Sequence, residues 1–150
     1  LKCNENMTVI DNFKKFYSHL GLDDLPLLKE IYSDDVVLVD PVGTHCGLSQ
    51  VTEYFTHLLS NNDQCKFVIH TIGKVESTSA ELYSVTWTMS FATSALKRGQ
   101  TIHVDGMSQL NVLDNKIVHH QDYYDLGQMV YEHIPLLGSL VKKIKNRLRK

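Results

Sequence analysis

Two short stretches place ionisable side chains where strand-like apolar runs end. Residues 36–40 read VVLVD and Pro41 follows at once, so Asp40 closes a run of four apolar residues. Residues 116–125 read KIVHHQDYYD and carry His120 and Asp122 two positions apart. Residues i and i+2 of an extended strand project from one face. Alternation therefore puts Val118, His120, Asp122 and Tyr124 on one side, and Ile117, His119, Gln121 and Tyr123 on the other. At ~7 Å, same-face neighbours suit a water-bridged His–Asp pair. A carboxylate on an apolar wall loses hydration and becomes a stronger base, so the chemistry these residues could do is proton transfer. Asp40 has a second reading, as a strand-end aspartate that hydrogen-bonds the turn around Pro41 and Gly43.

A metal centre is not expected. His119 and His120 are adjacent and point to opposite faces of a regular strand. His120 with Asp122 and Asp40 supplies one nitrogen and two oxygens, an incomplete facial set. No CxxC or HExxH pair occurs. No cofactor is implied.

The elements that must position these groups follow from periodicity. Residues 7–20 place Val9, Phe13, Phe16, Tyr17 and Leu20 at helical spacing, with Thr8 as N-cap. A second short helix spans about Leu25–Tyr32, with Pro26 in its first turn. SDD turns the chain into the strand VVLVD, and PVGTHCG reads as a loop. LSQVTEYFTHLLS gives a third helix with Val51, Tyr54, Phe55, Leu58 and Leu59 on one side. Four long period-two segments follow, CKFVIHTIGKVE, AELYSVTWTMSFATS, QTIHVDGMSQLNVL and KIVHHQDYYD, with Asp114–Asn115 as a tight turn. Tyr83, Val85, Trp87, Met89 and Phe91 share a face, as do Ile102, Val104, Gly106, Ser108, Leu110 and Val112. Helices first and a meander after predict one α+β domain over residues 1–150, with the helices on one face of a curved antiparallel sheet. Apolar walls ending in a few acids and a histidine describe a ligand pocket.

At 150 residues, 43% apolar and 21% charged, the chain suits a single globular core. No run approaches the ~20 apolar residues of a membrane span. No secretion signal is expected from the first residues given, and Cys3, Cys46 and Cys65 are odd in number and irregularly spaced. A cytoplasmic, reducing location is the expectation. Residues 142–150 carry six positive charges and no negative ones, which leaves nine Lys/Arg against 17 Asp/Glu in residues 1–141, a net charge of −8. An acidic body is a poor partner for nucleic acid, so none is expected. The tail at about 136–150 puts Leu137, Leu140, Val141, Ile144 and Leu148 on one helical stripe. Two readings stay open: a stripe covering the sheet or a dimer seam, and a weak contact with a membrane surface.

These segments, in this order, resemble the SnoaL-like, or nuclear-transport-factor-2-like, superfamily, which includes ketosteroid isomerase, limonene epoxide hydrolase and polyketide cyclases. The resemblance rests on the first helix, DDVVLVDPVG at 34–43, Gly47–Leu48 opening helix three, and the closing KIVHHQDYYD. It implies a cone, a bent sheet around a pocket closed by helices, and a homodimer. It also implies a small, mainly apolar organic ligand. Asp40 matches the isomerase's general base. Phe16 falls at that enzyme's oxyanion-hole tyrosine, Tyr17 lies ~100° round the helix and should point elsewhere, Ser108 matches its second donor, and Phe55 matches its supporting tyrosine. Standard ketosteroid isomerase activity is therefore not expected. Asp122 matches one aspartate of the epoxide hydrolase, whose Arg-x-Asp pair has no counterpart at 84–90. Two functions follow. One is an acid–base isomerase, cyclase or hydrolase with Asp40 or Asp122 as base and His120 as partner. The other is a non-catalytic ligand-binding or dimeric accessory module. Phe16, Tyr17, Phe55, Trp87, Met89, Phe91, Ser108 and Tyr124 are the expected pocket residues.

Overall fold

A computed structural model describes residues 7–61 and 64–149. Cys3 lies outside the described residues. Among them, Cys46 and Cys65 are free thiols.

Helix α1 (Val9–His19) starts at the expected cap. The Thr8 hydroxyl accepts from the Asp11 amide, and the Asp11 carboxylate accepts from the Thr8 amide. It ends where Leu20 turns left-handed and its N–H reaches the Phe16 carbonyl at 2.8 Å. A 3₁₀ turn over Leu22–Leu27 leads into the single-turn helix α2 (Leu28–Ile31). Strand β1 then begins at Tyr32 and runs to Val39. The expected helix over Leu25–Tyr32 is thus an α-helix only over its four residues Leu28–Ile31, its start being 3₁₀ and Tyr32 opening the strand, and the SDD turn is part of the strand. The Tyr32–Ile117 pairing resumes only at Val37–His119, so an irregularity absorbs the polar residues without ending the strand.

The presumed loop after β1 contains a further strand, β2 (Thr44–Cys46), which folds back antiparallel on β1. Helix α3 (Leu48–Asn61) follows, and β3 (Gln64–Val75), β4 (Glu81–Ala92), β5 (Ile102–Leu113) and β6 (Lys116–Tyr124) form the meander. The sheet order is β2-β1-β6-β5-β4-β3. It is antiparallel throughout except for β1 against β6, which is parallel. That pairing requires the whole intervening chain as its crossover. It brings the D-P-V-G end of β1 beside the His-Asp end of β6, with Leu38 opposite His120 and Val39 opposite Gln121.

Helix α1 and α3 cover the concave face. Phe13, Phe16 and Tyr17 of α1 and Val51 and Phe55 of α3 pack on Val85, Trp87, Met89, Val104 and Leu110 of the sheet. Asp114 and Asn115 both take positive φ, as a type I′ hairpin requires. The Asn115 side chain also accepts the Val9 amide at 2.8 Å, which ties the hairpin to the start of α1. On β6 the expected alternation breaks. Asn111 pairs with His119 and Val112 with Ile117, so a bulge inserts Val118, and Ile117 turns to the core with His120.

After β6 come the short helix α4 (Leu126–Met129) and helix α5 (Leu137–Leu148). α5 does not lie across the sheet. It packs on the 3₁₀ turn Tyr131–His133, with Gly138 pressed against the Glu132 backbone, and Lys145 ion-paired to Asp125 and Glu132. Leu137, Leu140, Ile144 and Leu148 remain exposed. The expectation that this stripe covers the sheet of its own chain is corrected. The basic polar side, not the apolar one, supplies the docking contact. No helix among the described residues is long and apolar enough to cross a membrane.

Candidate functional site

The His120 ring is 1% exposed and sits at the centre of a continuous hydrogen-bonded chain. Its Nε2 lies 2.7 Å from Asp122 Oδ1, a direct contact rather than the water-bridged one expected. Its Nδ1 lies 2.8 Å from the Tyr32 hydroxyl, which in turn is 3.2 Å from the Tyr17 hydroxyl. On the other side, the Ser108 hydroxyl donates to the same Asp122 Oδ1 at 2.5 Å, and Trp87 Nε1–H donates to Ser108 Oγ at 2.8 Å. Register explains the assembly: Ser108 on β5 stands opposite Asp122 on β6, and Leu110 stands opposite His120.

One protonation pattern satisfies every member. With Asp122 ionised and His120 neutral, Nε2–H donates to Asp122, Tyr32 O–H donates to the bare Nδ1, and Tyr17 O–H donates to Tyr32. Such a hydrogen-bonded network is rigid, whereas loss of Tyr32 or His120 would strand a desolvated polar atom. Among the described residues, hydrogen bonds to the Asp122 carboxylate fall on Oδ1 alone. Oδ2 therefore carries no hydrogen bond from these residues, and His120 and Ser108 orient the carboxylate through Oδ1.

Asp40 is differently placed. Its Oδ1 accepts the amides of Val42 and Gly43, each at 2.8 Å, and its Oδ2 accepts the Tyr54 hydroxyl at 3.2 Å. The backbone amide of Asp40 meets the Gly43 carbonyl at 2.9 Å. This is the turn-forming role, and it closes the β1–β2 hairpin. Asp40 is buried on the same face as Val36 and Leu38, as alternation implies.

Tyr17 points inward. The expectation that it turns away assumed a narrow buried stripe on α1, but the helix is covered from two sides. Phe16 packs edge-on against Phe55 at 5.2 Å, while Tyr17 packs against Phe67 at 5.2 Å. Both fit, ~100° apart, because α3 takes one and β3 the other.

A cavity of about 20 Å³ lies on the concave face. Tyr17, Phe55, Trp87, Ser108 and Asp122 line it as expected, together with Phe13, Tyr54, Leu58, Phe67 and Ile69. Phe16, Met89 and Phe91 are buried core residues outside the lining, and Tyr124 is half-buried with its ring 6.1 Å from Trp87. About one water fits such a space. A larger groove of about 510 Å³ runs along Lys14, Ser18 and β3 residues Phe67–His70, but it is open and carries none of the Asp122 network. The converging polar groups, Ser108 and Asp122, are at the small cavity. Among the described residues no group of three His, Cys, Asp or Glu side chains is arranged to hold a metal ion.

Burial drives the tyrosines' electrostatics. Loss of hydration pushes the Tyr17 and Tyr32 phenols far above their ordinary value, and the Asp122 charge adds to it in both. Tyr54 is raised by burial first and by the Asp40 charge second. A raised phenol keeps its proton in the folded state while the unfolded chain releases it above ~10. The unfolded state then binds fewer protons, and stability falls as pH climbs beyond that value. In a spectrophotometric titration, Tyr17 and Tyr32 are expected to ionise together with the loss of circular dichroism. Their smooth ionisation in a still-folded protein would contradict the network.

Tyr32 and Tyr54, which hydrogen-bond His120 and Asp40, are the residues of this arrangement that the sequence reading did not single out. Tyr54 was visible as part of the α3 apolar stripe. Tyr32 sits at the helix-to-strand junction, where neither period assigns a face.

The SnoaL-like domain family matches residues 13–120. Among curated proteins none matches. Solved structures share the fold. One is a candidate SnoaL-like polyketide cyclase from Jannaschia sp. CCS1, with TM-score 0.69 and 12% identity over 91% of this chain and 99% of that one. Another is a candidate polyketide cyclase from Pseudomonas putida KT2440, with TM-score 0.66 and 16% identity over 86% and 99%. A third is a Catenulispora acidiphila DSM 44928 protein with a ketosteroid isomerase-like fold in complex with trimethylamine, with TM-score 0.65 and 15% identity over 83% and 90%. With its mixed six-stranded cone, its helical cover and this match over most of its length, the chain belongs to the SnoaL-like domain family.

Proposed function

We propose that this SnoaL-like domain takes a small, mainly apolar organic molecule into the cone and acts on it by acid–base chemistry at Asp122. The observation that carries the reading is the buried Tyr32–His120–Asp122–Ser108 chain at an apolar cavity. Burying an ion inside apolar walls is costly, and replacing such a group with a hydrophobe is often neutral or stabilising. A network of this kind at a cavity is a functional-site signature. Asp122 Oδ2 takes a proton from the guest or from a water held beside it. The His120 and Ser108 donors hold Oδ1 and fix the carboxylate's orientation. Phe13, Phe55 and Trp87 supply the apolar contact. Two structural neighbours are described as candidate polyketide cyclases, which supports a polyketide-like guest, and a third holds trimethylamine.

A guest larger than water needs the lining to move, and Phe67 and Ile69 line both the cavity and the open groove. The small volume favours a second reading, a non-catalytic, dimeric accessory module whose cone is a packed core. Native mass spectrometry of the purified protein, followed by titration of the recovered or screened apolar compounds, separates the two. The first reading expects a bound molecule that shifts the Trp87 indole N–H resonance in saturable fashion. No compound shifting that resonance, across a screen of cyclic ketones, phenols and terpenoids, would leave the accessory reading standing.

A further inference from the structure

The last helix leaves an apolar face uncovered beside a dense positive charge. Leu140 and Ile144 are 55% and 50% exposed, Leu148 is 82% exposed, and Leu136, just before the helix, is 88% exposed. At 100° per residue, Leu137, Leu140, Ile144 and Leu148 fall within one narrow stripe. Lys143 and Arg147 flank it on one side, and no acid occurs between Leu137 and Lys150. The opposite side of the helix is fixed to the body. Gly138 has no room for a side chain against the Glu132 backbone, and Lys145 bonds Asp125 at 3.0 Å and also Glu132. The pairing holds Asp125 below the usual aspartate range and Lys145 above the usual lysine range. The stripe is therefore presented outward on a clamped helix.

We infer that α5 is an interfacial docking element for an anionic lipid bilayer. An amphipathic helix with Lys/Arg around an exposed aliphatic stripe lies in the headgroup plane, with its apolar face in the acyl boundary and its cations among anionic headgroups. Charge decides against a second copy of the same helix. Two such stripes face to face would bring Lys143 and Arg147 of each chain together, and α5 itself carries no acid to offset them. The rest of the chain, at −8, is repelled by the same surface. The domain therefore docks through α5 with its acidic body held away. This inference is independent of the acid–base reading of Asp122.

The test is co-sedimentation of the full chain with phosphatidylcholine vesicles, with and without phosphatidylglycerol, at two salt concentrations. Binding is expected to anionic vesicles and to weaken as salt rises. Lys143→Glu with Arg147→Glu should lower it by well over tenfold, because each cation near the surface is worth roughly a fivefold change. Leu140→Asp with Ile144→Asp should lower it by about tenfold or more, since it removes the apolar insertion. Both pairs are exposed, and circular dichroism is expected to match the parent. Equal partition onto neutral and anionic vesicles, or no partition onto either, would overturn the proposal. So would binding untouched by the Leu140/Ile144 pair, which would leave only non-specific adsorption of a basic tail. A parent dimer that the Leu140/Ile144 pair converts to monomer, without any vesicle binding, would assign the stripe to a second copy instead.

Discussion

Asp122→Asn is expected to abolish turnover of the cavity's guest, by about 10²–10⁴ in kcat, while the protein keeps its fold. Asparagine retains an Oδ1 that accepts from His120 Nε2–H and from Ser108, so the network's geometry survives. What it loses is the ability to take a proton. Asp40→Asn is the matched control. Its Oδ1 still accepts the Val42 and Gly43 amides, and only the contact with the Tyr54 hydroxyl changes. It is expected to change turnover by less than about tenfold. Kinetics on the molecule identified by the ligand screen decide the matter. Loss of activity in Asp40→Asn with retention in Asp122→Asn would move the base to Asp40.

Gly106→Ala is expected to destabilise the protein by about 3 kcal/mol. Gly106 on β5 stands opposite Trp87 on β4, and a Cβ built there would lie 2.2 Å from the indole ring. The ring cannot yield freely, because its Nε1–H is held by Ser108, the residue that donates to Asp122. The substitution therefore costs packing and loosens the site together. For a chain of this size the melting temperature should fall by roughly 6–12 °C. The mechanism predicts strong coupling. In a Trp87→Leu background, where the ring is gone, the same change should cost less than about 1 kcal/mol. Additive losses in the double variant would mean that the glycine is required for some other reason.

Some of this was legible in the residues. Alternation placed Ser108 and Asp122 on inward faces and made His120 and Asp122 same-face neighbours. Helical spacing found α1 and α3, and the Thr8 cap and the Asp114–Asn115 turn were readable from local chemistry. The missing pieces all depend on contacts distant in sequence. β2 has three residues and no period of its own, and it exists because Asp40 folds the D-P-V-G turn. Tyr32 reaches His120 only because β1 pairs parallel with β6, a choice that pattern does not encode. The bulge at Val118 reverses the faces of its neighbours, which a period-two reading cannot anticipate. The pocket volume was the least legible quantity. Aromatic residues that would wall an open cone fill it instead, leaving about 20 Å³. The direction of the α5 stripe turned on one glycine and one lysine clamp.

Nitrogen-15 NMR of the His120 imidazole in the intact protein tests the centre of the account. The hydrogen-bond geometry predicts a single tautomer, with Nε2 protonated and donating to Asp122 and Nδ1 bare and accepting from Tyr32. Its Hε2 proton should be protected from exchange, and Tyr32→Phe should alter the Nδ1 signal. A ring protonated at Nδ1 alone, or one whose N–H exchanges as freely as in an exposed histidine, would contradict the hydrogen-bonded chain.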